Sequence, residues 1–169
     1  MQDEKKAAQA MAEIIRKQEA SLVFGRFDNE TAWLIGQSLR EHALAHGGSA
    51  AIDITVNGVQ LFRCVVGRPT PNNGRWIKRK MNTVLEFWKS SLLVAQEMAA
   101  SGRTLQEHGL SEQDIALSGG GFPIRVKDLG VVGTIIVSGF PQTHDHQLIV
   151  DTLAEYLGVK TESVLDLAQ

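Results

Sequence analysis

The sequence predicts an α+β fold, a mostly antiparallel sheet carrying helices. Two patterns lead to it. Strand-like apolar runs arrive as adjacent pairs joined by tight turns, at residues 52–66 and 124–137, and not as the repeated βαβ units of a parallel sheet. Amphipathic helical runs precede, separate and follow these pairs. A chain of 169 residues, 43% hydrophobic and 21% charged, fits one globular domain and excludes disordered, collagen-like and coiled-coil fibrous classes.

Residues 2–19 place Ala7, Met11, Ile14, Ile15 and Gln18 at helical spacing, with acidic residues near the start, as an amphipathic first helix requires. Ser21 to Phe24 reads as a short strand. Asp28 and Asn29 supply N-cap chemistry for a second helix with Ala32, Ile35, Gly36, Leu39 and Ala43 inward, ended at Gly47-Gly48. The Asn57-Gly58 dipeptide then predicts a type I′ hairpin turn, since both central residues need positive φ. Counting from that turn pairs Val56 with Val59, Ile54 with Leu61 and Ile52 with Arg63. Arg63 therefore falls on an apolar face, either at the sheet's end or as an anion contact.

Two prolines and two glycines predict a loop over residues 67–74. A long helix is expected from Arg75 to about Ala100, roughly 38 Å in length, with a wide apolar stripe through Ile77, Met81, Val84, Trp88 and Leu92. So long a stripe suggests that part of it covers another subunit. Thr104-x-x-Glu107 and Ser111-x-x-Asp114 resemble capping boxes of short helices. Gly119-Gly120-Gly121 leads into a second hairpin turning at Asp128-Leu129-Gly130. Thr143 is the expected N-cap of a final helix carrying Ile149, Val150, Leu153 and Leu157, and residues 159–169 read as a loosely attached extension.

Charge and cysteine content narrow the function. Lys and Arg number 17 against 19 Asp and Glu, so the basic excess of a dedicated nucleic-acid binder is missing. The opening residues are charged, and no apolar run approaches the roughly 20 residues that span a bilayer. A single cysteine, Cys64, cannot form an internal disulfide and suits a reduced, cytoplasmic setting. Its strand position favours inert packing over nucleophilic catalysis. Ser118 and Ser138 precede glycines without the elbow of a serine hydrolase, and no Walker or Rossmann loop is present.

Three features invite a ligand. The triple glycine enters a strand, as a sharp turn or as a loop that lets backbone approach a ligand. His144-Asp145-His146 opens the last helix, where i and i+2 side chains diverge by about 200°, so the two histidines are not expected to chelate one ion together. Either alone could ligate a metal, and a helix N-terminus favours the neutral, ligating imidazole. Asp145 suits the helix N-terminus by charge alone, and His42, His46 and His108 look solvent-facing. Arg75, Lys78, Arg79 and Lys80 crowd the start of the long helix beside Trp76, against the helix dipole, which points to an anion or to a solvated face.

The run Gly119-Gly120-Gly121-Phe122-Pro123-Ile124, followed by Gly130-Val131-Val132-Gly133, Val137-Ser138-Gly139 and Asp145-His146, resembles the haem-degrading domain family of GlcG-like and HbpS-like proteins. The resemblance covers most of the chain. Trp76-Ile77-Lys78-Arg79-Lys80 and Ser90-Ser91 are similar to a branch of short stand-alone members. What the resemblance implies is a profilin-like fold with a five-stranded antiparallel sheet flanked by helices, as one domain over 1–158 with 159–169 as a C-terminal extension. It also implies assembly into homodimers or larger homo-oligomers, and binding of haem or a related tetrapyrrole, with haem degradation in some members. On that reading the expected cofactor contacts are His144 and His146 as ligands, Arg75 and Arg79 as anion partners, and Gly120, Gly121 and Phe122 beside them. The alternative is a non-enzymatic oligomeric scaffold.

Overall fold

The computed structural model describes residues 2–167, and Ala168 and Gln169 of the expected extension lie outside them. Among the described residues, five α-helices and four strands follow in the order α1 (Gln2–Ser21), α2 (Asn29–Ala45), β1 (Ala50–Val56), β2 (Val59–Val66), α3 (Pro71–Phe87), α4 (Ser91–Ser101), β3 (Gly121–Val126), β4 (Gly130–Ser138) and α5 (Gln142–Leu157). The sheet is antiparallel throughout, in the order β2-β1-β4-β3. It therefore has four strands and not the five implied by the resemblance. The missing strand is the one expected at residues 21–24, where a single parallel bridge joins Phe24 to Val126. Two flanking bonds, Phe24 N–H to Arg125 O and Lys127 N–H to Phe24 O, use up what pairing that short segment offers.

Period-two alternation along the strands gives the sheet two different faces. One carries Ile52, Ile54, Ile124, Ile135 and Val137 and packs on α2 and α5 through Ile35, Leu39, Ile149 and Leu153, forming the main core. The other carries Ala51 and Ile136 and meets α3 at Ile77 and Val84. α1 and α4 pair through Ala12, Ile15, Leu92 and Leu93. Asp28 caps α2 as expected, its Oδ1 accepting from Thr31 N–H at 2.8 Å.

The first hairpin turns at Asn57 and Gly58, both with positive φ, as a type I′ turn requires. A bulge between Ile54 and Thr55 then shifts the register. Ile54 faces Phe62 and Ile52 faces Cys64, so Arg63 pairs with Asp53 and not with Ile52. The bulge moves Arg63 off the apolar face and onto the α3 side, where its Nη1 donates to the buried Asp53 carboxylate at 3.3 Å.

The long helix expected over residues 75–100 is two helices. α3 begins earlier, at Pro71, behind a Thr70/Asn73 capping box, so Pro71 to Gly74 form its first turn and the basic residues start one turn further in. It ends at Trp88, whose φ of 52° lies in the left-handed region, and Ser90 restarts the chain as N-cap of α4. Beyond α5, residues 159–167 are held against the body of the protein. Val164 is buried with Ala12 and Leu92, and Gln147 and Gln18 bond to the backbone of Val164 and Glu162. An extension that is loosely attached over its described residues is thus not what forms.

Candidate functional site

A helix turns about 100° per residue, so Arg75, Lys78 and Arg79 share one broad face of α3 and Lys80 points away from it. Arg75 is exposed and bonds Asn72 Oδ1 one turn back, at 3.2 Å. Arg79 lies over the Trp76 ring, 4.4 Å from its centroid, and donates to Ile115 O at 3.3 Å. Lys80 turns inward, and Lys78 is exposed. Lys80 is therefore set apart from the other three, and Arg75 and Arg79 are each engaged with neighbours in their own chain.

Lys80 is buried with Asp145, their Nζ and Oδ2 atoms 2.8 Å apart, and Nζ also donates to Val137 O at 2.9 Å. Asp145 accepts from Phe140 N–H at 2.9 Å and Gly139 N–H at 3.3 Å. Burial pushes the Lys80 ammonium down and the Asp145 carboxyl up, against the mutual attraction that holds both charged. Gly120 explains its own presence here. Its φ is +107°, and a Cβ would sit 2.7 Å from Lys80 Nζ and 2.8 Å from Asp145 Cβ. The triple glycine lets the start of β3 close over this pair, and Gly121 and Phe122 are buried in the strand that follows.

The two histidines of α5 lie in different surroundings. The α5 N-cap is Pro141 and not Thr143, which leaves His144 exposed in the first turn. His146 is fully buried. Gln18 Nε2 donates to Glu162 O, so its Oε1 is the acceptor for His146 Nε2–H at 2.8 Å, and Nδ1 is left enclosed with no partner among the described residues. Burial depresses its pKa from 6.5 to about 3, so the ring is neutral, and it lines neither of the cavities described below. His42, expected to face solvent, is half-buried, with Nδ1 2.8 Å from Thr152 Oγ1. Among the described residues no three His, Cys, Asp or Glu side chains gather as a metal site.

Two of the cavities that α3 lines lie beside its basic residues. A polar cleft of 270 Å³ opens beside Asn72, Asn73, Trp76 and Lys80, with Ser118 and Ser138 across from them. A groove of 580 Å³ lies on the side of Lys78, Met81 and Leu85, closed by Thr55 and Gln60 of the first hairpin and by Val131 to Thr134 of β4. The groove is mostly apolar and falls within the roughly 300–1,000 Å³ of small-molecule sites. Lys78 is the one titratable side chain in its lining among the described residues.

The family model described as "Haem degrading protein HbpS-like" matches residues 27–154. The chain belongs to the HbpS-like family. Relatives include a UPF0303 protein of Burkholderia mallei, 44% identical over 145 residues covering 85% of this chain and 88% of that protein. Another UPF0303 protein, of Serratia proteamaculans, is 42% identical over 151 residues, covering 89% and 94%. Among solved structures, Ybr137w protein superposes with a TM-score of 0.81 at 26% identity over 87% of each chain. HbpS itself gives 0.62 at 22% identity, over 79% of this chain and 91% of that one. A structure titled as a PduOC:Heme complex gives 0.62 at 16% identity, over 83% and 100%, a likeness that shows the fold alone.

For an HbpS-like protein, the residues present fit a tetrapyrrole only in part. The groove supplies apolar walls, an ammonium for a carboxylate in Lys78, and a soft thioether in Met81, a known class of haem ligand. The expected contacts His144, His146, Arg75, Arg79, Gly120, Gly121 and Phe122 line neither this groove nor one another's surroundings as a set. The sequence did assign Met81 and Lys78 to α3. What it could not show was that Thr55, Gln60 and Thr134 stand opposite them, although Asp53 in the apolar run Ala50–Val56 marks that face as polar.

Proposed function

We propose that the chain is a binding protein for an amphipathic anion of tetrapyrrole size, haem among them, seated in the groove between α3 and the sheet. The observation that carries this is the groove itself: 580 Å³, walled by Met81, Leu85, Val131 and Val132, with Lys78 as its cation. Haem, when bound, would supply redox chemistry at iron, while this chain supplies burial of the apolar ring and a counter-ion for a carboxylate. The family description and the haem complex of a structural neighbour support the choice of ligand class. Binding and not turnover is the function proposed, because the described lining offers no general acid and base pair. Self-association in a reducing, cytoplasmic setting belongs to the same reading. It is supported by the exposed Trp88 indole and by the free thiol of Cys64.

Titration of the full chain with haemin and with iron-free protoporphyrin IX, followed by Soret absorbance and tryptophan fluorescence, tests this reading. Saturable binding of both is expected, weakened about tenfold for both by Lys78→Glu and by Leu85→Glu, which place a negative charge in the groove. Met81→Ala should alter the haemin spectrum and spare protoporphyrin affinity if the thioether meets the iron. His144→Ala should change neither. Failure of both ligands to saturate, or saturation indifferent to the two charge substitutions, would overturn the proposal.

A further inference from the structure

One strip of the groove wall is polar, and its donors and acceptors are unevenly used. Ala51 and Ile136 face α3, so period-two alternation turns Asp53 and Thr55 of β1 and Thr134 of β4 to the same side. The register sets Thr55 opposite Thr134 on one flank and opposite Gln60 of β2 on the other. Gln60, Thr55 and Thr134 thus make a row across three strands, and all three line the groove.

Asp53 fixes which atoms of this row remain available. It is buried, and its carboxylate accepts from Thr55 Oγ1–H at 2.7 Å, from Gln60 Nε2 and from Arg63 Nη1. A carboxylate only accepts, so it takes the Thr55 proton and holds the NH2 end of the Gln60 amide. What Thr55 and Gln60 keep is acceptor oxygen, and Gln60 Oε1 has no partner among the described residues. The third member of the row differs. Thr134 is 1% exposed, and its Oγ1 is enclosed without any hydrogen-bond partner among the described residues. Leaving a buried hydroxyl unbonded costs free energy that an acceptor on a ligand would recover. Met81 lines the groove beside it, packed against Ile136, and an unbranched thioether is the side chain there most able to shift for a ligand.

We infer that this row reads a lactam edge, an N–H beside a C=O, on the ligand of the groove. Thr134 Oγ1–H donates to the carbonyl, and the Thr55 or Gln60 oxygen accepts the N–H. The inference rests on the groove reading above and narrows it. Among anions of tetrapyrrole size, an open-chain one with terminal lactams presents such an edge and still has a carboxylate for Lys78. A closed macrocycle turns its nitrogens inward and offers the row no such pair. A second carboxylate is a poor occupant, because the acceptor oxygens of Thr55 and Gln60 and the Asp53 carboxylate that holds them would repel it.

The full chain is titrated with biliverdin IXα and with protoporphyrin IX, which carry the same two propionates and differ in the lactam ends, and binding is followed by absorbance and tryptophan fluorescence. Saturable binding of biliverdin is expected, weakened about threefold to tenfold by Thr134→Val, the worth of one hydrogen bond, and restored by Thr134→Ser. Protoporphyrin affinity should be indifferent to both changes. Thr134→Val keeps the side-chain shape and removes a hydroxyl that bonds nothing in the free protein, so the melting temperature should not fall. Lys78→Glu should weaken both ligands. Failure of both to saturate, or indifference of both to Lys78→Glu, removes the groove reading and this inference with it. Saturation by protoporphyrin alone, equal effects of Thr134→Val on the two ligands, no effect on biliverdin, or a lowered melting temperature overturns the lactam assignment and leaves the groove reading standing.

Discussion

Burial governs both ionisable centres of α5, and it does so with different consequences for pH. His146 has its folded pKa lowered from 6.5 to about 3, so below pH 6.5 the unfolded chain takes up a proton that the folded chain refuses. Its contribution to stability is fully present above pH 6.5 and is lost as pH falls toward 3. At pH 4.5 the loss is about 2 to 3 kcal/mol, and His146→Gln should flatten that part of the stability curve in urea unfolding between pH 7.5 and 4.5. A variant as acid-sensitive as the parent would show that the ring is not sealed. Lys80 and Asp145 pose a different problem, since each ion is costly without the other. Lys80→Met should cost about 3 to 5 kcal/mol, and adding Asp145→Asn should recover part of it, because the second change removes the stranded charge and keeps an acceptor for Phe140 N–H. Strictly additive losses in the double variant would argue against the pairing.

Among the elements, the break between α3 and α4 separates two residues that the sequence placed on one stripe. Leu92 is fully buried against α1 within its own chain, whereas Trp88 is 60% exposed at the helix end. Leu92→Glu should therefore unfold the monomer, by burying a charge without a partner, as circular dichroism would register. Trp88→Glu should leave the fold intact and lower the mass seen by light scattering if the indole sits in a contact between copies. Unchanged mass would remove Trp88 from any such contact. Local patterning revealed much here: both hairpins, the Asp28 cap, α2 and α5 follow from residues a few positions apart. What escaped was what several local rules contest at once. The apolar spacing from Ile77 through Leu92 continues smoothly past Trp88, and it outweighed the cap signal of Ser90, whose hydroxyl accepts from Leu93 N–H at 3.3 Å. The hairpin register slipped for a similar reason, because a turn dipeptide fixes the pairing beside it and says nothing of a bulge two residues away.

Over the whole molecule, the family was legible because glycine positions carry it, and the candidate groove was not, because it is made of distant pieces. Gly120 must lack a side chain to clear the Val137 carbonyl and, far earlier in the chain, Lys80, so the sequence records the close approach without naming what is approached. The groove joins Met81 to Thr55 and Val132, and no local spacing encodes that juxtaposition. Histidines drew attention by their chemistry, and His146 ties α5 to α1 and, through Gln18, to the backbone near the C-terminus.

α3 is a wall of both cavities: residues 78, 81 and 85 bound the groove while 72, 73, 76 and 80 bound the cleft. A roll of this one cylinder about its own axis would enlarge one space as it narrows the other. A ligand that filled the groove would then be linked through this helix to whatever changes the cleft, and any factor that one applied to the other would be returned in equal measure. Amide exchange at residues 72, 73 and 80, measured with and without saturating protoporphyrin IX, would expose that link, and unchanged exchange would mean that the helix stays still.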